Sequence, residues 1–368
     1  MKISVSTDKL RDALQYVTDV IERRFTYPIL SNVLFEVGED GILHLRATDH
    51  DLSLMADVET QSVAETGAVT IPGKKCLDVV RASSQTGEVM IHADLDGVTL
   101  TIGRSKFNLS TMPASEFPQR PNIEADATFT ISTKDFVHLL QSAISTMGVG
   151  DVRPHLNGTL IELTSVHIRA VSSDGMSMCI CTNKNYSVEG GEIVTALIPR
   201  KAVLELTKAF ASVDDELEIS VAANALVAIG SERSLITNLI ESPFPAYMRI
   251  VPDASDALLK CDRSLFIQAI DQAATLADTS MRIYLDVSPD SMELMANTEA
   301  GDRAEVVIPI DFGDRSTKVA FKHDRLRRIL DTFSCEEVAL HLPEPRDVVR
   351  IDSADEEELL FVVSPIRS

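Results

Sequence analysis

The chain contains three copies of one sequence pattern, which start at Ser6, Ser132 and Asp262 and so lie 126 and then 130 residues apart. Each of these residues has a side-chain oxygen, and apolar residues four positions apart follow it. This pattern is typical of the start of an amphipathic helix, because the oxygen can accept hydrogen bonds from the first backbone N–H groups. The apolar pairs are Leu10 and Leu14, Phe136 and Leu140, and Phe266 and Ile270. The sequence therefore predicts three helix starts in three structural repeats.

The similarity between the copies continues well past the helix start. Each copy has a segment of alternating apolar residues, as in a half-buried strand, and later a second amphipathic helix. The alternating segments are 43–49, 168–174 and 292–298, and the second helices open near 73, 200 and 323. A repeat of this length can bury a core of its own, so each copy is predicted to be a domain rather than a solenoid unit.

Two short connectors divide the copies. Residues 121–127 and 251–257 begin at or next to a proline and are acidic and rich in alanine, which favours exposed linkers. We therefore predict similar domains at 1–124, 125–254 and 255–368, each with two helices and several strands. Turn-forming segments between the alternating runs indicate mainly antiparallel sheets, so the predicted class is α+β.

The charge is distributed unevenly along the chain. The net charge is −22, yet Lys and Arg outnumber Asp and Glu by 16 to 10 in six predicted helix windows, which carry +6 and leave −28 elsewhere. The windows are 7–24, 74–83, 133–146, 200–211, 263–277 and 322–333. Exposed helix positions commonly hold Lys and Arg, which is one explanation. The other is a shell with acidic sheets outside and helices inside, where a mild positive potential accepts a phosphate backbone.

Composition argues against base-specific recognition and a membrane span. Trp is absent and aromatic residues make up 5% of the chain, so DNA contact is expected to be independent of base sequence. The sequence contains no apolar run long enough to cross a bilayer, and we expect a cytoplasmic protein. The five cysteines are expected to be reduced core thiols; Cys179 and Cys181 share one strand face, and packing is favoured there over zinc binding.

Among the segments of the chain, Asp49-His50-Asp51 most resembles a catalytic or metal-binding motif. The corresponding segments of the other copies, 173–175 and 297–299, are typical of turns at the end of the same strand. Turn formation is therefore favoured over a metal-dependent hydrolase site, and the histidines show no metal-ligand spacing. We expect neither an enzyme nor a cofactor.

Several motifs, in order from end to end, resemble those of the bacterial DNA polymerase III β subunit, the β sliding clamp family. They are Met1-Lys2-Ile3, Pro28-Ile29-Leu30 after Arg24, Gly103-Arg104-Ser105-Lys106-Phe107, Asp151-Val152-Arg153, Leu156-Asn157-Gly158, Ser173-Asp174-Gly175, Phe244-Pro245 with Tyr247 and Arg249, and Pro365 with Arg367. The resemblance implies half of a closed ring, in which a head-to-tail homodimer surrounds duplex DNA. It also implies a clamp loader, the replicative polymerase and other clamp-binding-motif proteins as partners.

The resemblance and the charge pattern together nominate three sets of site residues. The DNA-facing candidates are Arg24, Lys74, Lys75, Arg200, Lys201, Arg325 and Arg328. The resemblance implies a dimer interface between Arg104, Lys106 and Phe107 on one side and Thr275, Leu276, Glu299, Asp302 and Glu305 on the other. It implies a partner-peptide cleft formed by Arg153, Leu156, Ser173, Gly175, Met176, Ser177, Met178, Pro245, Arg249, Ile250, Val362, Val363, Ser364, Pro365, Ile366 and Arg367.

The chain departs from the family pattern within the cleft and at one DNA-contacting loop. Met176-Ser177-Met178 stands where the family usually has His-Arg-Leu, and the chain ends in Ser364-Pro365-Ile366-Arg367-Ser368 instead of Met-Pro-Met-Arg-Leu. Pro154-His155 lies where two tyrosines are usual. These changes leave open an accessory clamp with its own partners. An acidic scaffold that binds proteins and never DNA is a further alternative.

Overall fold

The computed structural model describes residues 1–368 apart from 23, 25–26, 84–86, 95–96, 190–193, 212, 255–257, 343–347 and 367–368. The described residues form an α+β fold with six α-helices. The helices are α1 (Thr7–Val17), α2 (Gly73–Ala82), α3 (Thr133–Ile144), α4 (Arg200–Phe210), α5 (Arg263–Ala274) and α6 (His323–Thr332). The predicted helix starts are thus confirmed in all three copies, two helices to a copy. Arg24, however, lies beyond the end of α1, so the first predicted window was too long.

The strands far outnumber the helices. They are β1 (Lys2–Ser6), β2 (Asn32–Val37), β3 (Ile42–Thr48), β4 (Leu52–Glu65), β5 (Gly67–Pro72), β6 (Glu88–Asp94), β7 (Gly97–Ile102), β8 (Ser105–Leu109), β9 (Ala127–Ser132), β10 (Gly158–Leu163), β11 (Ile168–Ser173), β12 (Ser177–Asn183), β13 (Tyr186–Glu189), β14 (Val194–Pro199), β15 (Glu216–Val221), β16 (Ala225–Ile229), β17 (Arg233–Asn238), β18 (Leu258–Asp262), β19 (Arg282–Val287), β20 (Ser291–Asn297), β21 (Arg303–Pro309), β22 (Thr317–Lys322), β23 (Glu337–His341), β24 (Val349–Asp352) and β25 (Leu359–Val363).

The contacts divide the chain into two compact units. Unit 1 is Met1–Lys134, Ser187–Gly190 and Leu204–Leu239, and unit 2 is Asp135–Tyr186, Gly191–Val203 and Ile240–Ser368. The second repeat is shared between them because antiparallel pairing crosses the repeat boundaries. In unit 1, β17 of the second copy pairs with β4 of the first, and in unit 2, β25 of the third copy pairs with β12 of the second. The division therefore follows the sheets and not the sequence repeat.

The first helix of each copy begins in the same way. The backbone N–H of its first residue donates to a carbonyl just before or at the start of a later strand: Thr7 to Gly87 at 3.0 Å, Thr133 to Asp215 at 2.8 Å and Arg263 to Glu336 at 2.8 Å. The predicted side-chain cap is present at Asp262, whose Oδ1 accepts from the Leu265 N–H at 2.8 Å. It is absent at Ser6, where the capping prediction was wrong.

The apolar stripes of the helices face buried cores. Leu10, Leu14, Phe136 and Phe266 are fully buried, as their spacing predicts. In unit 1, α1 packs beside α2, and in unit 2, α5 packs beside α6. In the second helices, Leu77, Val203 and Leu326 are likewise buried, whereas Leu204 in α4 is 39% exposed.

The predicted turns are confirmed by their hydrogen bonds. Asp49 Oδ1 accepts from the backbone N–H of Asp51 at 3.0 Å and of Leu52 at 2.8 Å. In the second copy, Asp174 Oδ1 accepts from Met176 and Ser177 at 2.9 and 2.6 Å. His50 and Gly175 occupy the same left-handed position with φ of 82°. The segment with a catalytic appearance is thus a turn in which Asp49 bonds the backbone.

The cysteine side chains lie in the core, and the helices are short. All five cysteines are buried free thiols, and burial raises the pKa of Cys76 and Cys181 to about 12. No helix in the described part of the chain has the length and apolar character needed to span a bilayer.

His44 on β3 bridges two carboxylates and provides a test of the pH dependence of stability. Its Nδ1 lies 2.7 Å from Asp57 Oδ1, and its Nε2 lies 3.1 Å from Asp40 Oδ2. Partial burial lowers the pKa of His44, but hydrogen bonds to Asp57 and Asp40 outweigh burial and raise it above 6.5. A raised folded-state pKa stabilises the fold below the unfolded-state pKa and loses this effect as pH rises through the folded value.

We therefore expect His44→Gln to reduce the free energy of unfolding at about pH 5.5 and to have little effect above about pH 8.5. Urea denaturation at several pH values measures the difference, with His92→Gln on the exposed face of β6 as the control. A difference that does not change with pH would contradict the bridge.

Candidate partner cleft and interfaces

The floor of the predicted partner cleft is an apolar cluster on one face of the sheet in unit 2. Its buried members are Leu160, Val171, Met178, Ile180, Leu197, Tyr247 and Val362, against which Ile240, Phe244, Val251, Val348 and Leu360 pack. The strand members share a face because they lie directly opposite one another across β14, β10, β11, β12 and β25, in the order Leu197, Leu160, Val171, Ile180 and Leu360. We call this group the floor cluster. It joins second-repeat and third-repeat residues into one surface.

The chain end is fixed against the floor cluster by backbone pairing. Ser177 and Met178 lie opposite Val363 and Val362 in the register of β12 and β25. Beyond β25, the Ser364 N–H donates to the Met176 carbonyl at 2.8 Å and the Ile366 N–H donates to the Ala320 carbonyl at 2.7 Å. Ser364, Pro365 and Ile366 are half-buried as a result. Arg367 lies outside the described residues.

The predicted cleft residues separate into a buried set and an exposed set. Leu156, Ser177, Met178, Val362 and Val363 are buried, whereas Arg153, Gly175, Met176, Pro245, Arg249 and Ile250 are exposed and Ser173 is half-buried. Among the exposed apolar side chains, Met176 is 44% and Ile250 is 56% accessible, and the nearby Met248 is 53% accessible. Apolar side chains grouped at this exposure are typical of a surface that a partner covers.

The turn before β12 is held by charged groups from two elements. Asp174 Oδ2 lies 3.3 Å from both Nε and Nη2 of Arg325 on α6, and the Arg325 side chain is only 14% exposed. Arg153 bonds Asp151 through Nε and Nη2 at 2.9 and 3.0 Å, and this contact lowers the pKa of Asp151 to about 2. A Cβ on Gly175 would lie 2.7 Å from Arg153 Nη2, so glycine lets the guanidinium approach.

Aromatic residues that were not among the predicted site residues complete the cleft. Phe244 contacts His155 and Tyr247 edge to face, with ring centroids 6.1 and 6.3 Å apart. Tyr247 donates to Glu162 Oε1 at 3.0 Å. The period of two along β11 and β12 could have identified Val171 and Ile180, because they share a face with Met178. Tyr247 begins a short 3₁₀ turn two residues after Pro245, so no strand periodicity points to it.

The corresponding place in unit 1 is covered by the chain itself. Arg46, which matches Val171 in the repeat, lies 5.1 Å from the Phe117 ring centroid and donates to the Pro118 carbonyl at 2.7 Å. Ile123 matches Ile250, yet it packs on the buried Met55, Val227 and Ile236. The same repeat position is thus covered in one unit and exposed in the other.

The predicted DNA-facing cations differ in what they contact. Arg24, Lys74, Lys75 and Arg328 are exposed, and Arg200, Lys201 and Arg325 are half-buried. Lys74 Nζ donates to the Ile21 carbonyl at 2.7 Å, and Lys74 and Lys75 line a cavity of about 560 Å³ in unit 1. In unit 2, Arg200 donates to the Met147 carbonyl at 3.2 Å, and Arg328 pairs with Asp324 at 3.3 Å. Arg325 positions the Asp174 turn instead of extending into solvent.

The predicted dimer residues lie on or just before two terminal strands, one in each unit, and just after α5. In unit 1, β8 ends its sheet; Arg104 precedes it, and it carries Lys106 and the half-buried Phe107, which lines a cavity of about 540 Å³ with Met90. In unit 2, β21 ends its sheet and carries Glu305, with Glu299 and Asp302 exposed in the preceding turn. Thr275 is exposed and Leu276 is half-buried just after α5. One strand end therefore has basic residues beside an aromatic one, and the other has three carboxylates, of which Glu305 pairs with Arg303 at 2.6 Å.

The chain is thus a three-domain α+β protein with exposed apolar side chains near the floor cluster, and comparison with known proteins gives the family. Models of the DNA polymerase III beta subunit match in order: the N-terminal domain at residues 1–121, the central domain at 130–246 and the C-terminal domain at 248–367. The chain belongs to this family of non-enzymatic processivity factors.

Individual relatives match over their full length. The beta sliding clamps of Salmonella typhimurium and Pseudomonas aeruginosa are 29% and 28% identical to the chain, with 100% of each chain covered. A crystal structure of the Pseudomonas aeruginosa DNA polymerase III subunit beta has a TM-score of 0.96 at 28% identity, again with complete coverage of both chains. Another structure of the Pseudomonas aeruginosa clamp, with a TM-score of 0.97 at 28% identity and the same coverage, is bound to griselimycin.

Proposed function

We propose that this chain is a DNA sliding clamp, which surrounds duplex DNA as a homodimer and tethers the replicative polymerase and other partners through the unit 2 cleft. The observation that carries the proposal is the difference in exposure between equivalent surfaces of unit 1 and unit 2. Apolar side chains are exposed around the floor cluster of unit 2, whereas Ile123 and Arg46 cover the corresponding surface of unit 1. Matches to the family models along the whole chain support the same function. We propose 1–124, 125–254 and 255–368 as the limits of its three domains.

The cleft is proposed to bind short linear peptides through the floor cluster and its exposed rim. The relative bound to griselimycin shows that a clamp of this family accepts a ligand. Met176 and Met178 replace a histidine and a leucine of the usual pattern, and methionine adapts to ligands of different shape. We infer that the peptide preference of this chain differs from that of most relatives, as would suit an accessory clamp.

The homodimer is proposed to close through β8 of one chain and β21 of its partner. Each strand ends its sheet and can accept a neighbour. Arg104 and Lys106 beside Phe107 complement Glu299, Asp302 and Glu305, and such a head-to-tail contact generates a ring when its rotation closes. A clamp loader would open this joint. We place the protein in the cytoplasm, where bacterial DNA is replicated.

Contact with DNA is proposed to be weak and independent of sequence, through the helix cations and Arg24. Reversal of Arg24, Lys75 and Arg328 to Glu is expected to reduce the amount of protein loaded onto nicked circular DNA about tenfold at low salt, because phosphate contacts hold the open ring on the DNA before it closes. Arg325 is left unchanged because it positions the Asp174 turn.

The matched control reverses Arg120, Lys184 and Arg315, which are exposed outside helices and give the same change in net charge. Size-exclusion chromatography measures the amount of protein that elutes with the DNA. The control variant is expected to load like the parent protein. Equal loading of the test variant and the control variant would instead favour the acidic scaffold that binds proteins only.

A further inference from the structure

A polar cavity of about 470 Å³ lies on the third-repeat half of the same sheet in unit 2. Strands β18, β23, β24 and β25 form it, and its lining includes Lys260, His341, Arg350, Asp352 and Leu360. None of these residues was among the predicted cleft residues, although Leu360 also packs on the floor cluster. The cavity combines charged side chains with an apolar wall, which is typical of a site that recognises one polar group next to apolar ones.

The cavity and the floor cluster are parts of one sheet face. Arg350 lies directly opposite Val362 in the β24–β25 register, and Val362 lies opposite Met178 in the β12–β25 register. Directly opposed residues of antiparallel strands have neighbouring side chains on the same face. Leu360 both lines the cavity and packs on the floor cluster. Arg350 is thus two strand positions across the sheet from Met178, on the face that carries the floor cluster.

Arg350 is held in place with part of its guanidinium available. Its Nε donates to Asp352 Oδ2 at 2.6 Å, and Asp352 Oδ1 lies 2.9 Å from His341 Nε2. Burial raises the pKa of Asp352, but the contacts with His341 and Arg350 outweigh burial and lower it, so the carboxylate stays ionised. Within the described part of the chain, Nη1 and Nη2 of Arg350 have no hydrogen-bond partner, and the side chain is 24% exposed.

We propose that this cavity extends the partner cleft and binds a carboxylate of the bound peptide, from an acidic residue beside the apolar residues that occupy the floor cluster. A fixed guanidinium with two terminal nitrogens suits a carboxylate, which it can bind through both. Glu337 and Glu357 also line the cavity. Glu337 pairs with Lys260 at 3.4 Å, so Arg350 is the cation to which we assign the peptide carboxylate. This inference rests on the proposed function of the cleft.

The test compares pairs of labelled peptides by fluorescence anisotropy with the full-length protein. Each peptide contains the clamp-binding segment of the replicative polymerase from the same organism, and the two members of a pair have Glu or Gln at one position, which is varied over three positions on either side of the apolar residues. At one of these positions the parent protein is expected to bind the Glu peptide about fivefold more tightly than the Gln peptide at low salt. Added salt is expected to reduce this preference.

Arg350→Gln is expected to abolish the preference while leaving the affinity for the Gln peptide within about twofold. Arg350→Lys keeps the charge but loses the two-nitrogen geometry, so a smaller preference should remain. Arg315→Gln, the same change on an exposed turn, is expected to behave like the parent protein.

The two proposals fail in different ways. Equal affinity of the parent protein for Glu and Gln peptides at every position, or a preference that survives Arg350→Gln, would overturn the carboxylate site alone. Tighter binding of the Gln peptide than of the Glu peptide would do the same. Binding of neither peptide to the parent protein would overturn the partner cleft and, with it, the extension.

Discussion

Replacement of Met176 and Ile250 by Asp is expected to weaken the binding of a polymerase-derived peptide at least about 100-fold while the dimer remains intact. Both side chains are about half exposed beside the floor cluster, so the fold does not depend on their burial. The double variant removes two apolar contacts and requires two carboxylates to lose water on binding, and about 2.7 kcal/mol corresponds to this change in affinity. Fluorescence anisotropy measures the affinity.

A matched control places the same two charges on exposed apolar residues elsewhere in unit 2. Val166 is 68% exposed and Met281 is 36% exposed, and neither lies in the predicted cleft. Val166→Asp with Met281→Asp is expected to bind the peptide like the parent protein. If Met176→Asp with Ile250→Asp kept the parent affinity, the exposed rim would not be the partner surface.

Phe107→Asp is expected to convert the homodimer to monomers, with a dimer dissociation constant at least about 100-fold higher. An apolar anchor would be lost from β8, and a carboxylate would face the acidic group Glu299, Asp302 and Glu305 of the partner strand end. Size-exclusion chromatography with light scattering over a range of protein concentrations measures the change.

Asn108→Asp provides the control for this change on the same strand. Asn108 follows Phe107, is exposed, and accepts from Thr99 Oγ1 through its Oδ1 at 2.9 Å, a contact that Asp can keep. Adjacent strand residues point to opposite faces, so the new charge lies on the face of Lys106 and does not replace the apolar contact that Phe107 makes on the other face. The control is expected to remain dimeric. A Phe107→Asp protein that stays dimeric at nanomolar concentration would contradict the proposed interface.

Local chemistry made much of the fold predictable from the sequence. The helix starts at Thr7, Thr133 and Arg263 follow from apolar spacing, and the turns at Asp49 and Asp174 follow from carboxylates that bond the backbone two and three residues later. The capping prediction failed where a hydrogen bond between residues far apart in the chain replaced one between neighbours. At Ser6 the side chain does not cap α1, although the N–H of Thr7 is satisfied by the Gly87 carbonyl.

The candidate site was less predictable than the fold. Repetition indicated equivalent surfaces near residues 46–55 and 171–180, but the sequence does not reveal that Ile123 packs on Met55 while Ile250 stays exposed. The sequence also presents Arg325 and Arg328 as equal cations of one helix. Arg325 reaches Asp174 from another repeat, and such a contact depends on how the elements pack.

The sequence by itself determined the triplicated pattern, the two helices of each copy and the turns, because these depend on side-chain spacing and on hydrogen bonds between residues close in the chain. Only the tertiary structure decided that the second repeat is shared between two units, that one apolar surface is exposed while its counterpart is covered, and that Arg350 lies beside the floor cluster. These features depend on the pairing of strands such as β4 with β17 and β12 with β25, which are more than 150 residues apart, and on the register of that pairing.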